Sequence, residues 1–110
     1  MDLKEYQNKA HTTSLNTVIQ ENDFLYPVLG LCGETGEVAE KFKKLFRDHK
    51  GVITEEFKTD MIKELGDILW YLSEVSRKIG LSLEEIADKN IEKLFSRRER
   101  KVIQGSGDNR

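Results

Sequence analysis

Two short acidic motifs are the residues of this sequence whose types and spacing could do chemistry. Each reads acid, any residue, glycine, acid: Glu34-Thr35-Gly36-Glu37 and Glu64-Leu65-Gly66-Asp67. Acid pairs spaced by three are not special in themselves, because the composition predicts roughly 3.5 of them and the sequence has five. The glycines are more informative, since each costs a helix interior about 1 kcal/mol relative to alanine. The same cost at the same place in both motifs indicates close backbone approach or access to a ligand.

The helical positions of the four acids are also matched. At 100° per residue, Glu34 and Glu37 lie roughly 80° and 140° from the midline of their helix's apolar stripe, and Glu64 and Asp67 have about the same offsets on the next helix. In antiparallel neighbours the four carboxylates could converge in one pocket, where their repulsion requires a cation or protonation. Oxygen donors without His or Cys select Mg²⁺, with Mn²⁺ as a possible substitute, rather than zinc. Solvated acids on two charged helices are the alternative interpretation.

The elements that must position these acids are helices. Apolar residues recur at spacings of three and four in four segments, and no alternation is long enough to build a sheet. The segments run from the N-cap Asp2 to between Thr12 and Asn16, from about Pro27 towards Gly51, from the residue after Thr54 to Gly80, and from the N-cap Ser82 to about Arg98. Because the connections are short, the predicted fold is all-α, an antiparallel four-helix bundle.

Length and composition indicate one small domain that associates with copies of itself. The 110 residues are 35% charged and 37% hydrophobic, so the core is thin and the amphipathic helices are expected to complete their burial in a homo-oligomer. We expect the domain to span residues 1–98 and a flexible basic tail to follow at 99–110. A single cysteine, Cys32, excludes an internal disulfide framework, and its place in the apolar stripe predicts a buried thiol.

The charge balance and the hydropathy pattern limit the partners and the location. A net charge of −2 gives no general attraction to nucleic acid. No segment approaches the roughly 20 apolar residues of a membrane span, and the N-terminus lacks the apolar run of a signal peptide. We therefore expect no nucleic-acid or membrane partner, and a cytoplasmic location.

Two segments that carry the acidic motifs resemble a known family. Gly33–Glu40 and Lys63–Tyr71 look like the ExxE…ExxD pattern of the MazG-like, all-α nucleoside triphosphate pyrophosphohydrolases, and the 26 residues between Glu37 and Glu64 suit that family's spacing. The similarity extends into Asn90–Arg98, which resembles the basic stretch that handles substrate phosphates in the family. The resemblance covers about residues 25–110.

The resemblance implies an activity and a role for each matching residue. Such enzymes cleave a (deoxy)nucleoside triphosphate between the α and β phosphates, giving monophosphate and pyrophosphate, and commonly clean the nucleotide pool as homodimers or homotetramers. Glu64 and Glu37 would be catalytic, with Glu37 positioning or deprotonating the attacking water. The implied metal ligands are Glu34, Glu37, Glu64 and Asp67, and the implied substrate-binding residues are Tyr71, Asn90, Lys93 and Arg97. By helical position, Tyr71 would face the sugar or base, and Trp70 would be exposed at a subunit interface.

Two other functions are compatible with the same residues. The first is a pyrophosphatase specific for dUTP or dCTP, which related all-α enzymes include. The second is a non-catalytic helical module that binds a metal or a partner protein. Nucleotide affinity that depends on Mg²⁺ favours the enzyme over the module.

Overall fold

The computed structural model describes residues 1–110 and contains four helices and no strands, so the predicted all-α class is confirmed. The helices are α1 (Leu3–His11), α2 (Leu25–His49), α3 (Glu55–Lys78) and α4 (Leu83–Glu99). The predicted N-caps Asp2 and Ser82 accept hydrogen bonds from backbone N–H groups three residues later, at 2.8 Å and 3.0 Å. Thr54 caps α3 in the same way, at 3.1 Å. Helix α2 begins two residues before Pro27, because the Asn22 side chain accepts from the N–H groups of Phe24 and Leu25, both at 2.9 Å.

Helices α2 and α3 form an antiparallel hairpin that carries both acidic motifs. Contacts between them pair residues whose numbers run in opposite directions, from Phe42 with Phe57, whose ring centroids are 5.1 Å apart, to Gly30 with Tyr71. The turn between the helices passes through Gly51 at a φ of +72°, where a Cβ would come 2.6 Å from the Phe46 ring. Glycine is therefore required there on both conformational and steric grounds.

Hydrogen bonds of side chains connect α1 and the residues after it to α3 and to the start of α4. The Gln7 amide nitrogen donates to the carbonyl of Leu81 at 3.2 Å, and the Gln7 amide oxygen accepts from the N–H of Leu83 at 3.1 Å. The Trp70 indole N–H donates to Thr13 Oγ1 at 2.8 Å and to the Ala10 carbonyl at 3.2 Å. The exposure predicted for Trp70 is therefore wrong, because the residue is half-buried against the end of α1.

Glu74 is a buried carboxylate at the junction of α1 and α3, with only 1% of its surface exposed. Its Oε2 accepts from the Arg77 Nε at 3.2 Å and lies 3.6 Å from the His11 Nδ1. Burial alone raises the pKa of Glu74, but Ser14, Arg77 and His11 together lower it by more, so the pKa lies below its ordinary value. The carboxylate is therefore charged at neutral pH and stabilises the folded state.

Replacing this buried carboxylate by an amide should produce a pH-dependent loss of stability. At pH 7, Glu74→Gln should lower the free energy of unfolding by about 2 kcal/mol, since a charge-assisted hydrogen bond is lost. The pKa of Glu74 in the folded state is below the ordinary 4.5, so its contribution is present above that pH and is lost as the pH falls through the folded value. Urea unfolding of both proteins at pH 7 and below pH 4.5 checks this. A constant difference at all pH values would contradict it.

The chain leaves a large apolar surface uncovered. The buried apolar residues are few: Ala10, Pro27, Leu45, Met61 and Leu83. The accessible surface is 8240 Å², whereas a compact protein of this mass exposes roughly 6,200 Å². The radius of gyration is 17.0 Å, compared with roughly 13 Å for a compact chain of this length. Cys32 is exposed, so its predicted burial is wrong within one chain, because no helix of the same chain covers that face of α2.

Candidate active site

Three of the four motif carboxylates meet where α2 and α3 pack together. Oxygen atoms of Glu34, Glu64 and Asp67 all lie within 4.8 Å of one another. The register of the antiparallel hairpin sets the first acid of the α2 motif against both acids of the α3 motif. Glu34 and Glu64 are half-buried and Asp67 is exposed, so the cluster opens to solvent on one side. An oxygen-only cluster of this kind is suited to a hard divalent cation.

The electrostatics of the cluster also fit a cation. Burial raises the pKa of Glu34, and the charges of Asp67, Glu64 and Glu37 raise it further. A bound cation would relieve this repulsion between like charges. In the protein alone, a partial relief comes from Lys41, whose Nζ lies 3.7 Å from the Glu64 Oε1.

Glu37 is not part of the three-carboxylate cluster. Its side chain is exposed one helical turn beyond Glu34, although its charge still acts on Glu34. The structure thus separates Glu37 from the other three acids of the predicted ligand set. This position is suited to a group that contacts a water beside the cluster.

Tyr71 forms a wall beside the cluster, one turn along α3 from Asp67. Its ring packs on Gly30, where any Cβ would overlap it, and meets the Trp70 ring edge to face with centroids 5.0 Å apart. Burial raises the pKa of Tyr71, and a hydrogen bond with Tyr26 and the charges of Tyr26, Glu34 and Asp67 raise it further. The phenol therefore stays neutral near the acids and can donate a hydrogen bond. Gly30 is the glycine of α2 whose missing side chain makes room for this ring.

A cavity of about 220 Å³ lies beside Tyr71, since the Tyr26 and Trp70 rings that neighbour Tyr71 also line it. Its lining combines the aromatic rings of Tyr26 and Trp70 with the charged groups of Glu74 and Lys78. The segment between α1 and α2 closes it with residues 13–17. Aromatic faces beside polar groups form the kind of surface that holds a planar, hydrogen-bonding ligand.

The three predicted phosphate-binding residues lie together on α4. Asn90 and Lys93 line an open groove with Lys89, and Arg97 lies one turn further along the helix. Lys93 and Arg97 pair with Asp108 rather than with any acid of the cluster. Helix α4 packs on α1, so the structure brings these three residues to one another but not to the carboxylates.

Sequence reasoning missed Lys41, Tyr26 and Asp108 as parts of these sites. The pairing of Lys41 with Glu64 depends on the register between α2 and α3, which periodicity does not define. Tyr26 precedes the predicted start of α2 and carries no motif. Asp108 lies in the segment predicted to be a flexible tail, and the only signal for it was the group of glycines around it.

The fold and the site together define an all-α protein with three carboxylates clustered between two antiparallel helices. The chain belongs to the MazG family, since the model of the MazG nucleotide pyrophosphohydrolase domain matches residues 24–102. It is also similar to "Gene 37 protein" of Mycobacterium phage L5, with 48% identity over 114 residues that cover all of both chains. No solved structure shows a significant match. The resemblance seen in the sequence is thus confirmed, and membership supports the hydrolase class.

Proposed function

We propose that the protein is a Mg²⁺-dependent pyrophosphohydrolase that cleaves a (deoxy)nucleoside triphosphate to the monophosphate and pyrophosphate. The observation that carries the proposal is the cluster of Glu34, Glu64 and Asp67 inside the region that matches the MazG domain. Removal of unwanted nucleotides from the pool is the role that this reaction would serve.

The three clustered acids would hold the metal ion. When bound, Mg²⁺ neutralises phosphate charge and lowers the pKa of a water. Glu37, exposed one turn away, would accept the proton of the water that attacks in line as the α–β anhydride bond breaks. The ion pair with Lys41 on α2 would hold the Glu64 carboxylate of α3 in place beside the metal ion.

The substrate would lie along the hairpin. With the phosphates at the acids, the nucleoside would extend past the Tyr71 ring towards the 220 Å³ cavity beside Trp70. Lys93, Arg97 and Asn90 would contact the β and γ phosphates, as charge-assisted hydrogen bonds suit these anions. Since α4 does not pack on the acid cluster in one chain, α4 of a second copy is a natural source of these contacts.

A second copy of the chain would cover the exposed apolar surface. Leu29, Cys32 and Gly33 on α2, and Ile62, Leu65 and Gly66 on α3, form stripes on faces turned away from the α2–α3 contact. A Cβ at either glycine would meet nothing within 4 Å in the same chain. The surplus surface of about 2,000 Å² per chain matches what obligate dimers bury. We propose a homodimer, or a homotetramer built from two such dimers.

A release assay tests the proposed activity. Purified protein would be given a panel of ribo-, deoxy- and oxidised nucleoside triphosphates, with Mg²⁺, with Mn²⁺ and with excess chelator. We expect pyrophosphate and the matching monophosphate to appear only with metal. Preference for dUTP or dCTP alone would identify the narrower enzyme. If folded protein releases no pyrophosphate from any nucleotide of the panel, catalysis is refuted and the metal- or partner-binding module is favoured.

None of the four helices has the length and apolar character that a membrane span requires.

A further inference from the structure

The segment after α4 folds back on the helix as a defined loop, here called the C-terminal loop (residues 100–110). The Arg110 guanidinium closes it by donating to three carbonyls, those of Gly107 at 2.6 Å, Ile103 at 2.8 Å and Val102 at 3.1 Å. Gly105 and Gly107 have φ angles of +133° and +86°, which side chains rarely adopt. The loop is therefore held by its own contacts and by glycines at its turns.

The closed loop places Asp108 against the two cations of α4. The Asp108 Oδ1 lies 3.5 Å from the Lys93 Nζ and 3.5 Å from the Arg97 Nη2. The Asp108 carbonyl also accepts from the Arg97 Nη2 at 2.7 Å. Arg97 is only 5% exposed, and its Nε has no hydrogen-bond partner. A phosphate from solution can thus reach Arg97 only if the loop moves.

The ion pairs between Asp108 and these two cations are weak enough for a stronger anion to replace Asp108. The Asp108 side chain is 87% exposed and both of its ion pairs are long, so water competes with them. The charge of Lys93, with hydrogen bonds from Lys93 and Arg97, keeps the pKa of Asp108 below its ordinary value, so the group is an anion at neutral pH. A phosphate group carries more charge and more acceptor oxygens than one carboxylate, and it binds the same donors more strongly.

We propose that Asp108 occupies, in the free protein, the anion site formed by Lys93 and Arg97, and that the phosphates of an incoming nucleotide must displace it. The inference rests on the proposed function, in which these two residues contact the β and γ phosphates. Asp108 then sets the affinity for the triphosphate: it weakens binding of the substrate and also speeds release of pyrophosphate. The unpartnered Arg97 Nε is the donor that becomes available when the loop opens.

Binding of pyrophosphate to the full chain in metal-free buffer, measured by calorimetry, tests this. Asp108→Asn should bind pyrophosphate about threefold more tightly than the wild type, which is the size expected for losing exposed ion pairs. Asp88→Asn is the matched control. It also removes one negative charge, but Asp88 lies on α4 and has no ion pair with Lys93 or Arg97. It should leave the affinity unchanged.

A second variant separates displacement from a general charge effect. Arg110→Ala removes the guanidinium that closes the loop and also removes a positive charge, which by itself would weaken anion binding. Tighter pyrophosphate binding by Arg110→Ala therefore supports displacement. Unchanged or weaker binding by both Asp108→Asn and Arg110→Ala would overturn the inference.

Turnover distinguishes this inference from the proposed function. In the release assay, Asp108→Asn should lower KM, and kcat should not rise, because the variant also releases pyrophosphate more slowly. A wild-type enzyme that turns over, combined with an unchanged KM in Asp108→Asn, overturns the role of Asp108 alone. Pyrophosphate affinity that is unchanged in Lys93→Ala would instead overturn the phosphate site on α4 that the inference requires.

Discussion

Glu64→Gln should reduce metal-dependent pyrophosphate release by at least about a hundredfold while the protein stays folded. Glu64 contacts both the other acids and the one lysine at the cluster. Its oxygen lies within 4.8 Å of those of Glu34 and Asp67, and 3.7 Å from the Lys41 Nζ. The amide keeps the shape of the side chain but cannot neutralise a cation. The loss should therefore appear in metal affinity and kcat, not in the circular dichroism spectrum.

The matched control for this change is Glu55→Gln. Glu55 lies on the same helix, and its side chain is 90% exposed and pairs only with Lys58. Its substitution should leave activity within about twofold of the wild type, since an exposed ion pair contributes little. Mn²⁺ titration of both variants would show whether the Glu64 variant fails to bind the ion. Full residual activity in Glu64→Gln would contradict its assigned role.

The fold could be predicted from the sequence wherever the signal is local. Asp2 and Ser82 cap their helices as expected, because a cap depends on a side chain and a backbone group three residues apart. Helix α2 begins earlier than predicted, because the Asn22 side chain accepts from the N–H groups of Phe24 and Leu25 in a segment without apolar periodicity. Local chemistry outside the periodic pattern was the source of that error.

The candidate site was predictable only in part, for a related reason. Two motifs of the same pattern on antiparallel helices, with matching offsets from the apolar stripes, predicted that four acids converge, and three of them, Glu34, Glu64 and Asp67, lie together. Which acid is left outside depends on the register of the hairpin, and so does the contact of Lys41 with Glu64. The predicted exposure of Trp70 was wrong for a similar reason. The helical angle of a residue defines the face on which it lies but not what covers that face, and here the end of α1 covers it.

Ile62→Glu should break the oligomer, with dissociation favoured by at least about a thousandfold. Ile62 is 73% exposed in one chain, on the α3 face that carries Leu65 and Gly66. The burial of each copy of Ile62 against the other chain would contribute about 2 kcal/mol, and placing a carboxylate there would cost about 2 kcal/mol more. One copy therefore gives a factor of about a thousand, and a two-fold symmetric interface contains two copies. Sedimentation at several concentrations should show the wild type above its chain mass of 12.7 kDa and the variant at it.

Val18→Glu is the control, since Val18 is 61% exposed but lies between α1 and α2, outside the stripes. It should keep the wild-type mass.

The activity of Ile62→Glu then distinguishes two kinds of assembly. If α4 of one copy supplies Lys93 and Arg97 to the acids of the other, Ile62→Glu should lose turnover together with its oligomer, and raising the protein concentration should restore both. If the variant sediments as a monomer and keeps full turnover, each chain is a complete site and the second copy serves only to cover the apolar surface. An oligomer of unchanged affinity would show instead that the copies meet through a face without Ile62.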